Sequence, residues 1–436
     1  MRLNITDFAK IKNADIIVDG ITVIAGENNT GKSTIGKILF SIFNSVSNIE
    51  DKIEKQRIKE IEETIMMSIH NYIRLTSNDI ILNNISLASV KISEDVSKLQ
   101  EQEDVQDQKD VYDKTYNIIE SAIESLLLTE TQSYKYHVLV DDITEKVFEI
   151  FRLSKEKITR ELISLHFRDV FHRQINSLAE PKSIAELKLY IKGRTVEFSF
   201  SQNQCKKFAS EVSIMHKAIY IDNPFIVEKL TGNGDLNPMD KFLKDLLIGS
   251  KTSDNMEGII GKLLAKEKLE EITKTLEKVI DGEIVIEKSD EHYLSEKGIN
   301  TPVSFNNLST GMKSFVILKM LIENGMVKEK DVLVLDEPEI HLHPQWQVVY
   351  AELIVLLQKH FDLTIIITTH SPYFLDAINL FSIKYGIDKK VNFYLSSMEN
   401  TGVEINRVTD NIDLIYKKMA SPIQMLDTLR YELNNN

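Results

Sequence analysis

A glycine-rich segment, Gly26–Ser33, constrains the fold of this chain more than any other feature. It reads GENNTGKS and fits the spacing G-x-x-x-x-G-K-[ST]. The apolar run Ile21–Ala25 before it predicts a strand, and apolar residues at helical spacing from Ile35 to Phe43 predict a helix after it. A loop that leaves a strand and opens a helix points backbone N–H groups at an anion. The segment therefore predicts a phosphate-binding loop in an α/β fold.

The side chains of this loop suit the phosphates of a nucleotide. Gly31 would let the backbone approach the phosphates, Lys32 would place a positive charge at the β- and γ-oxygens, and Ser33 would bind Mg²⁺. A chance glycine–lysine turn is the alternative, which the flanking strand and helix disfavour. The residues expected to contact the nucleotide are Gly26, Asn28, Asn29, Thr30, Gly31, Lys32, Ser33 and Thr34.

The segment Asp331–Glu339, DVLVLDEPE, predicts a buried parallel strand that ends in carboxylates. Asp336 at the end of that strand would hold Mg²⁺, directly or through water, and Glu337 would polarise the attacking water. A surface acidic turn is the alternative interpretation. The presence of the phosphate-binding loop in the same chain favours the nucleotide site.

Two more segments could complete such a site. Leu308–Met312, LSTGM, precedes an apolar helix and would offer an N-cap and free N–H groups to an anion. His370 follows the apolar run Ile365–Ile367 and could contact a γ-phosphate, although a lone histidine is more often structural. The order of the four segments along the chain favours the functional interpretation of both. In the LSTGM segment, the residues expected to contact the nucleotide are Leu308, Ser309, Thr310 and Gly311.

Composition excludes several classes of protein. The chain has 436 residues, of which 42% are hydrophobic, so a large buried core is feasible. A formal net charge of -14 argues against wrapping duplex DNA by bulk charge. Cys205 is its one cysteine, which excludes a disulfide framework within the chain. Because its apolar runs are far shorter than the ~20 residues that cross a bilayer, we expect a cytoplasmic protein without a membrane partner.

Sequence periodicity divides the chain into four parts. Residues 1–45 and 301–436 alternate strand and helix patterns, and predict the two ends of one core built on a mixed sheet. Residues 46–182 carry charged, helix-favouring sequence and predict a large helical insertion. Residues 183–300 continue the core with a hairpin that turns at Lys192-Gly193, a strand and a helical subdomain.

Together the four motifs resemble the ABC-type ATPase superfamily and, within it, the SMC-, RecF- and OLD-like branch of the AAA family. Leu308–Met312 stands where that superfamily has LSGGQ, with Thr310 in place of the first glycine and Met312 in place of the glutamine. GENNTGKST and DEPEIHLHP (Asp336–Pro344) resemble the standalone ATPases of bacterial and archaeal antiphage defence systems, such as Septu, PARIS and the OLD nucleases, more than transporter subunits. The resemblance covers both ends of the chain.

The resemblance implies a P-loop ATPase core that works as a head-to-tail homodimer, with ATP and Mg²⁺ as cofactors. Each ATP would lie between Lys32 of one copy and Ser309–Gly311 of the other. The loop Glu339–Pro344 would contact the partner copy, and Asp222–Pro224 is a candidate Q-loop. The implied catalytic residues are Lys32, Glu337 and His370, and the implied metal ligands are Ser33 and Asp336.

Two other groups of residues allow more than one interpretation. His341 and His343 could form a metal pair, but no third ligand is evident nearby, and a loop that contacts a partner copy explains them better. The basic residues of the segment 151–174 could form a phosphate-binding face, although a solvated helix face explains them more simply.

Two functions stay open at this point. The first is a regulatory ATPase whose ATP-driven dimer controls a separate effector, such as a nuclease, in antiphage defence. The residues after Ile378 are too few for the TOPRIM nuclease domain of OLD nucleases, so we expect that the chain alone does not cut DNA. The second is a RecF- or SMC-like ATPase of DNA repair or maintenance. A transporter subunit is disfavoured by the helical insertion and by DEPEIHLHP.

Overall fold

The computed structural model describes residues 1–76, 85–102, 108–126, 134–232, 234–249, 269–287, 291–399 and 402–435. The chain forms two compact units. The first combines Met1–Ser47 with Ile163–Asn436, and the second is Asn48–Leu162.

The first unit is built on a mixed sheet, which has eleven strands within the described residues, in the order β6-β5-β4-β1-β2-β14-β13-β3-β12-β11-β7. Strands β10-β9-β8 form a separate small sheet. The strands are β1 (Arg2–Phe8), β2 (Ile11–Ile17), β3 (Ile21–Gly26), β4 (Ala185–Ile191), β5 (Arg194–Ser201), β6 (Gln204–Ser210), β7 (Ala218–Ile221), β8 (Gly282–Ile286), β9 (His292–Glu296), β10 (Val303–Ser304), β11 (Val332–Asp336), β12 (Thr364–Thr369), β13 (Val391–Glu399) and β14 (Gly402–Arg407).

Helices connect these strands and form the second unit. The α-helices with defined bounds are α1 (Lys32–Val46), α2 (Ile49–Thr76), α3 (Ile85–Gln102), α4 (Gln108–Leu126), α5 (Tyr134–Arg152), α6 (Lys155–Val170), α7 (Pro238–Ile248), α8 (Thr310–Glu323), α9 (Pro344–Phe361), α10 (Pro372–Lys384) and α11 (Asp413–Asn435). Residues 269–277 are also helical, whereas residues 250–268 of the predicted helical subdomain lie outside the described residues.

The parallel half of the large sheet positions the sequence motifs. Strands β13, β3, β12, β11 and β7 run parallel, so their carboxyl ends meet at one edge. In that register Asp336 lies opposite Thr368, and Thr368 lies opposite Ile24. The sheet confirms the predicted α/β class and the strands predicted at Ile21–Ala25 and Val332–Leu335.

Helix α1 packs closely on this half of the sheet. A Cβ atom at Gly36 would lie 2.5 Å from Cγ1 of Val334 and 3.1 Å from Cε2 of Tyr220, so only glycine permits the observed approach. Ile35, Ile38 and other apolar residues of the helix are buried in the same core as Val334. The start of α1 is thereby fixed beside the end of β11.

The antiparallel half of the sheet contains the predicted hairpin. Strands β4 and β5 pair from Ala185 opposite Phe200 to Ile191 opposite Arg194. Lys192 and Gly193 turn the chain with left-handed φ angles of 48° and 81°. The hairpin prediction is therefore confirmed to the residue.

The second unit is helical. Helices α2, α3, α4 and α5 pack around a shared apolar core. None of the helices in the described residues combines the length and the apolarity that crossing a bilayer requires. Core residues of this unit include Ile61, Ile65, Ile69, Ile92, Val96, Ile119, Ile123, Val140, Ile143 and Val147.

The helical unit, Asn48–Leu162, is shorter than the predicted insertion of residues 46–182. The difference arises because the second half of α6 packs on the large sheet. Phe167 is fully buried there, with its ring centroid 4.8 Å from that of Phe200 and 6.3 Å from that of Phe8. Charge and helical periodicity continue through α6, so the sequence does not reveal the boundary between Leu162 and Ile163.

Replacing Phe167 with alanine should destabilise the first unit. The change removes a buried ring from an aromatic cluster, and we expect a loss of about 3–5 kcal/mol in the free energy of unfolding. Leu165, on the same helix but 45% exposed, is the matched control, and Leu165→Ala should change stability by less than about 0.5 kcal/mol. Denaturant unfolding followed by Trp346 fluorescence reports on the first unit, and equal effects of the two variants would contradict this packing.

Candidate functional site

Three left-handed residues shape the loop between β3 and α1. The φ angles are 156° at Gly26, 66° at Asn29 and 72° at Gly31, which directly precedes the helix. Thr30 fastens the loop, since its hydroxyl donates to the Glu27 carbonyl at 2.7 Å and lies 2.6 Å from the Ser396 hydroxyl. The loop therefore has the shape of an anion-binding nest at a helix N-terminus.

The ammonium group of Lys32 is buried in a network at the carboxyl edge of the sheet. Its side chain is 3% exposed, and Nζ donates to the Glu27 carbonyl at 2.9 Å. Nζ also lies 2.7 Å from Nε2 of His370 and 3.9 Å from Oε1 of Glu337. Burial lowers the pKa of Lys32, while the nearby carboxylates oppose that change. The structure thus brings together three residues predicted from separate motifs.

His370 sits between Lys32 and Glu337. Its Nε2 lies 2.9 Å from Oε1 of Glu337, so the ring can accept from the Lys32 ammonium when neutral or donate to the Glu337 carboxylate when protonated. Burial lowers the pKa of His370, and the Lys32 charge lowers it further, whereas Glu337 raises it. These contributions favour the neutral ring at physiological pH.

Three hydroxyl groups hold the carboxylate of Asp336. The Ser33 hydroxyl donates to Oδ1 at 2.9 Å, the Tyr220 hydroxyl donates to Oδ2 at 2.6 Å, and the Thr368 hydroxyl also donates to Oδ1. Burial and the neighbouring carboxylates raise the pKa of Tyr220 well above its ordinary value, which keeps it a donor. Hydroxyl and carboxylate oxygens are hard ligands of the kind that Mg²⁺ prefers, so Ser33 and Asp336 fit that ion.

Glu337 adopts a left-handed conformation, with φ 50°. Its backbone N–H donates to the carbonyl of Thr368 at 3.1 Å and to the hydroxyl of the same residue at 3.0 Å. A side chain in this region of φ is uncommon and is held there by its surroundings. The bend after β11 turns Glu337 toward the end of β12, where His370 begins the next connection.

Glu339 holds the backbone at His370 through hydrogen bonds, a role that the sequence analysis did not predict. Its Oε1 accepts from the Thr369 hydroxyl at 2.6 Å, the His370 N–H at 2.7 Å and the Ser371 N–H at 3.3 Å. Burial raises the pKa of Glu339. No local pattern could reveal the contact, because about 30 residues separate its two sides in the sequence.

The LSTGM segment caps helix α8. The Ser309 hydroxyl accepts from the Met312 N–H at 3.3 Å, as predicted for an N-cap. A Cβ atom at Gly311 would lie 3.0 Å from the His341 carbonyl and 3.1 Å from the Trp346 ring, so glycine allows close packing there. The lining of the cavity beside the phosphate-binding loop does not include this segment. Within one chain, the two predicted parts of the nucleotide site remain apart.

That cavity has a volume of about 330 Å³. Asn29–Lys32 and Glu337 form its phosphate-loop side, and Phe171, His172, Gln174 and Leu178 line it together with Ala9 and Lys10. The segment after α6 is tied to the turn after β1, because Ala9 N–H donates to Ile175 at 2.9 Å and Leu178 N–H donates to Ala9 at 2.8 Å. The sequence analysis did not predict this wall of the cavity. Residues 171–178 and Ala9 are far apart in the sequence, and no motif indicates that they lie together.

The alternative residues of the sequence analysis have structural contacts. His343 caps α9 by accepting from the Gln345 N–H at 3.4 Å, and the His341 ring lies 5.9 Å from that of Phe225. In the described part of the chain, no group of three or more His, Cys, Asp or Glu side chains could hold a metal ion. Burial and the charges of Asp240 and Asp336 raise the pKa of Asp222, in the candidate Q-loop, to about 6.

Removing the Tyr220 hydroxyl should leave Asp336 with an unsatisfied oxygen. Because Tyr220 is fully buried, Tyr220→Phe should lower the free energy of unfolding by about 1–3 kcal/mol. Tyr190→Phe, at a half-buried position on β4, is the control and should change it by less than about 0.5 kcal/mol. Thermal and urea unfolding without nucleotide measure both variants, and a fully stable Tyr220→Phe protein would show that this hydrogen bond does not support the site.

Solved structures of SMC heads are distantly similar to this chain. The SMC head bound to the C-winged helix domain of ScpA has a TM-score of 0.42 at 11% identity and covers 95% of this chain and 98% of its own. The SMC head domain from Thermotoga maritima has a TM-score of 0.38 at 12% identity and covers 93% of this chain and 98% of its own.

Curated relatives match part of the sequence. The Septu protein PtuA of Bacillus thuringiensis is 31% identical over 188 residues, which cover 37% of this chain and 46% of that protein. The ribose import ATP-binding protein RbsA of Clostridium tetani is 26% identical over 223 residues, which cover 43% of this chain and 44% of that protein. The chain thus spans less than half the length of either relative.

A family model described as the AAA ATPase domain matches residues 1–375. The match extends from the first strand through the phosphate-binding loop, the LSTGM segment, Asp336 and His370. Since it spans well over half of the sequence, this chain belongs to the AAA ATPase domain family.

Proposed function

We propose that this chain binds ATP with Mg²⁺, hydrolyses it at sites shared between two copies, and uses that cycle to control a separate effector in prokaryotic antiphage defence. The observation that supports this function best is the cluster of Lys32, Glu337 and His370, of which Lys32 and Glu337 line the cavity of about 330 Å³. A lysine and a carboxylate at a phosphate-binding loop can stabilise phosphate charge and orient the attacking water in phosphoryl transfer, and a histidine can add a contact to the γ-phosphate.

The phosphates of ATP would bind at the nest formed by Gly31 and the start of α1. Lys32 would then exchange its contacts with the Glu27 carbonyl and His370 for phosphate oxygens. Mg²⁺, held by Ser33 and Asp336, would neutralise phosphate charge. The nucleoside would lie in the cavity, against the wall formed by residues 171–178.

Glu337 is placed to orient and polarise the attacking water. Its carboxylate faces the Lys32–His370 contact, and its left-handed backbone is fixed by two hydrogen bonds to Thr368. His370 would contact the γ-phosphate, and Glu339 holds its backbone in position. A preorganised base and donor lower the barrier because they need no rearrangement in the transition state.

Two copies would complete each site. Ser309 is exposed and lies outside the cavity lining of its own chain, which leaves its helix N-terminus available to a nucleotide held by another copy. Two large apolar side chains near the catalytic loops are also exposed, namely Ile340 at 60% and Tyr373 at 67%. They follow Glu339 and His370 in sequence, where a partner copy would cover them.

The defence role and the separate effector are supported by the motif resemblance and by the similarity to PtuA, a Septu protein. The similarity covers 37% of this chain. The effector is therefore proposed from the class of ATPase that the motifs resemble.

Replacing Glu337 with glutamine should slow hydrolysis without removing nucleotide binding. The amide cannot accept a proton from water, so we expect kcat to fall by about 10²-fold or more. The ATP-bound dimer should persist, which size-exclusion chromatography with light scattering would detect. Glu329→Gln, at an exposed position before β11, is the control and should behave like the unmodified protein. Unchanged hydrolysis in Glu337→Gln would contradict the proposed mechanism.

The same variant should retain the effector. An affinity pull-down of Glu337→Gln protein from its native cells, with ATP and Mg²⁺ and read by mass spectrometry, should recover a nuclease-like or otherwise toxic protein. Glu329→Gln protein without ATP provides the background. Recovery of only DNA and repair proteins would reject the defence role in favour of DNA maintenance, which DNA-stimulated hydrolysis that weakens with salt would then support.

A further inference from the structure

A second cavity lies wholly within the helical unit. It has a volume of about 540 Å³ and is lined by residues of α2 and α3 and by the first residue of α6. Arg57 of α2 and Ser97 of α3 face it. The cavity shares no residue with the nucleotide site, so what it binds can be tested independently of the proposed ATPase.

Arg57 is buried against this cavity without a polar partner. Only 7% of the residue is exposed, and its guanidinium lies 4.7 Å from the ring centroid of Phe151. Its Nε is shielded from solvent and has no hydrogen-bond partner, and no carboxylate of the described residues forms an ion pair with it. A buried cation without a counter-charge is costly, so Arg57 indicates an anionic ligand in the cavity that it lines.

The chemistry of Arg57 selects an oxygen anion. A guanidinium offers N–H donors in a planar fork that matches the two oxygens of a carboxylate. Burial lowers the pKa of Arg57, while Glu54 and Glu50 raise it. The guanidinium itself stacks on the ring of Phe151, so the fork is preorganised.

The rest of the lining distinguishes a carboxylate from a phosphate. Lys98 and Lys155 are the other cations, but each already pairs with an acid, Lys155 with Glu50 at 3.1 Å and Lys98 with Asp95 at 3.6 Å. Four carboxylates line the cavity against three cations, so the lining carries a net charge of -1 and disfavours a phosphate dianion. The four carboxylates are Glu50, Asp51, Glu54 and Glu94.

Two of those carboxylates lack a partner. In the described part of the chain, neither Asp51 nor Glu94 forms an ion pair or a side-chain hydrogen bond, whereas Glu54 accepts from the Ser93 hydroxyl at 2.5 Å. A ligand cation could therefore pair with Asp51 and Glu94 while the ligand carboxylate binds Arg57.

We infer that the helical unit binds a small zwitterionic molecule, with its carboxylate on Arg57 and its cationic group toward Glu94 and Asp51. The cavity of about 540 Å³ accommodates a molecule of several heavy atoms between the two ends. A small molecule would thus bind the chain at a site separate from the nucleotide site.

A matched set of four probes tests the inference on the full chain. The probes are 5-aminovalerate, its carboxylate-only analogue valerate, its cation-only analogue pentylamine, and inorganic phosphate. Isothermal titration should rank 5-aminovalerate tightest and valerate about three- to fivefold weaker, because a partly exposed ion pair contributes less than about 1 kcal/mol. Pentylamine and phosphate should bind still more weakly. Binding of none of the probes, or tightest binding of phosphate, would overturn the inference.

Variants assign the two ends of the ligand. Arg57→Met keeps the packing on Phe151 and should weaken 5-aminovalerate at least about tenfold. Arg152→Met is the matched control, since Arg152 lies 5.9 Å over the ring of Phe148 but is exposed and outside this cavity. It should leave the affinity unchanged.

Glu94→Gln, at an exposed position, keeps the inference testable if Arg57→Met fails to fold. It should bring 5-aminovalerate down to the affinity of valerate without weakening valerate itself. Equal loss for both probes, or no loss for either, would contradict the placement of the cationic group.

Discussion

The burial of the Lys32 ammonium is the interaction on which the rest of the site depends. At 3% exposure, this cation must find its partners inside the protein. They are the Glu27 carbonyl, His370 and the more distant Glu337, and more than 300 residues separate Lys32 from the last two in the sequence. Only adjacent parallel strands β3, β12 and β11 bring these groups to one edge. In the proposed mechanism, phosphate oxygens would take the place of these contacts of Lys32.

The buried carboxylate of Glu339 supports that network from behind. Glu339 accepts from the Thr369 hydroxyl and from the backbone N–H groups of His370 and Ser371, so it fixes the backbone that carries the histidine of the proposed mechanism. The next residue, Ile340, is exposed. In the proposed dimer, a partner copy that covers Ile340 would therefore act on His370 through the neighbouring Glu339, which gives assembly a direct route to the reacting groups.

The candidate site at the carboxyl edge of the sheet could be predicted from local sequence patterns, whereas the contacts made by tertiary packing could not. Gly26–Ser33, Asp336, Glu337 and His370 lie at or just after the ends of strands, and parallel strands place such residues together. The wall at residues 171–178 and the role of Glu339 depend on contacts between distant segments, which no spacing reveals. The end of the helical unit could not be predicted either, because α6 keeps one periodicity across the boundary between Leu162 and Ile163.

The central claim is that each ATP site combines the phosphate-binding loop of one copy with the LSTGM segment of another. Mixing two inactive variants, Lys32→Ala and Ser309→Arg, tests it most directly, because a mixed dimer would contain one intact site and one doubly damaged site. Steady-state hydrolysis should return to about a quarter of the unmodified rate, since about half of the dimers would be mixed and each would have one working site of two. Full activity of Ser309→Arg alone, or no recovery in mixtures shown to contain mixed dimers, would contradict shared sites.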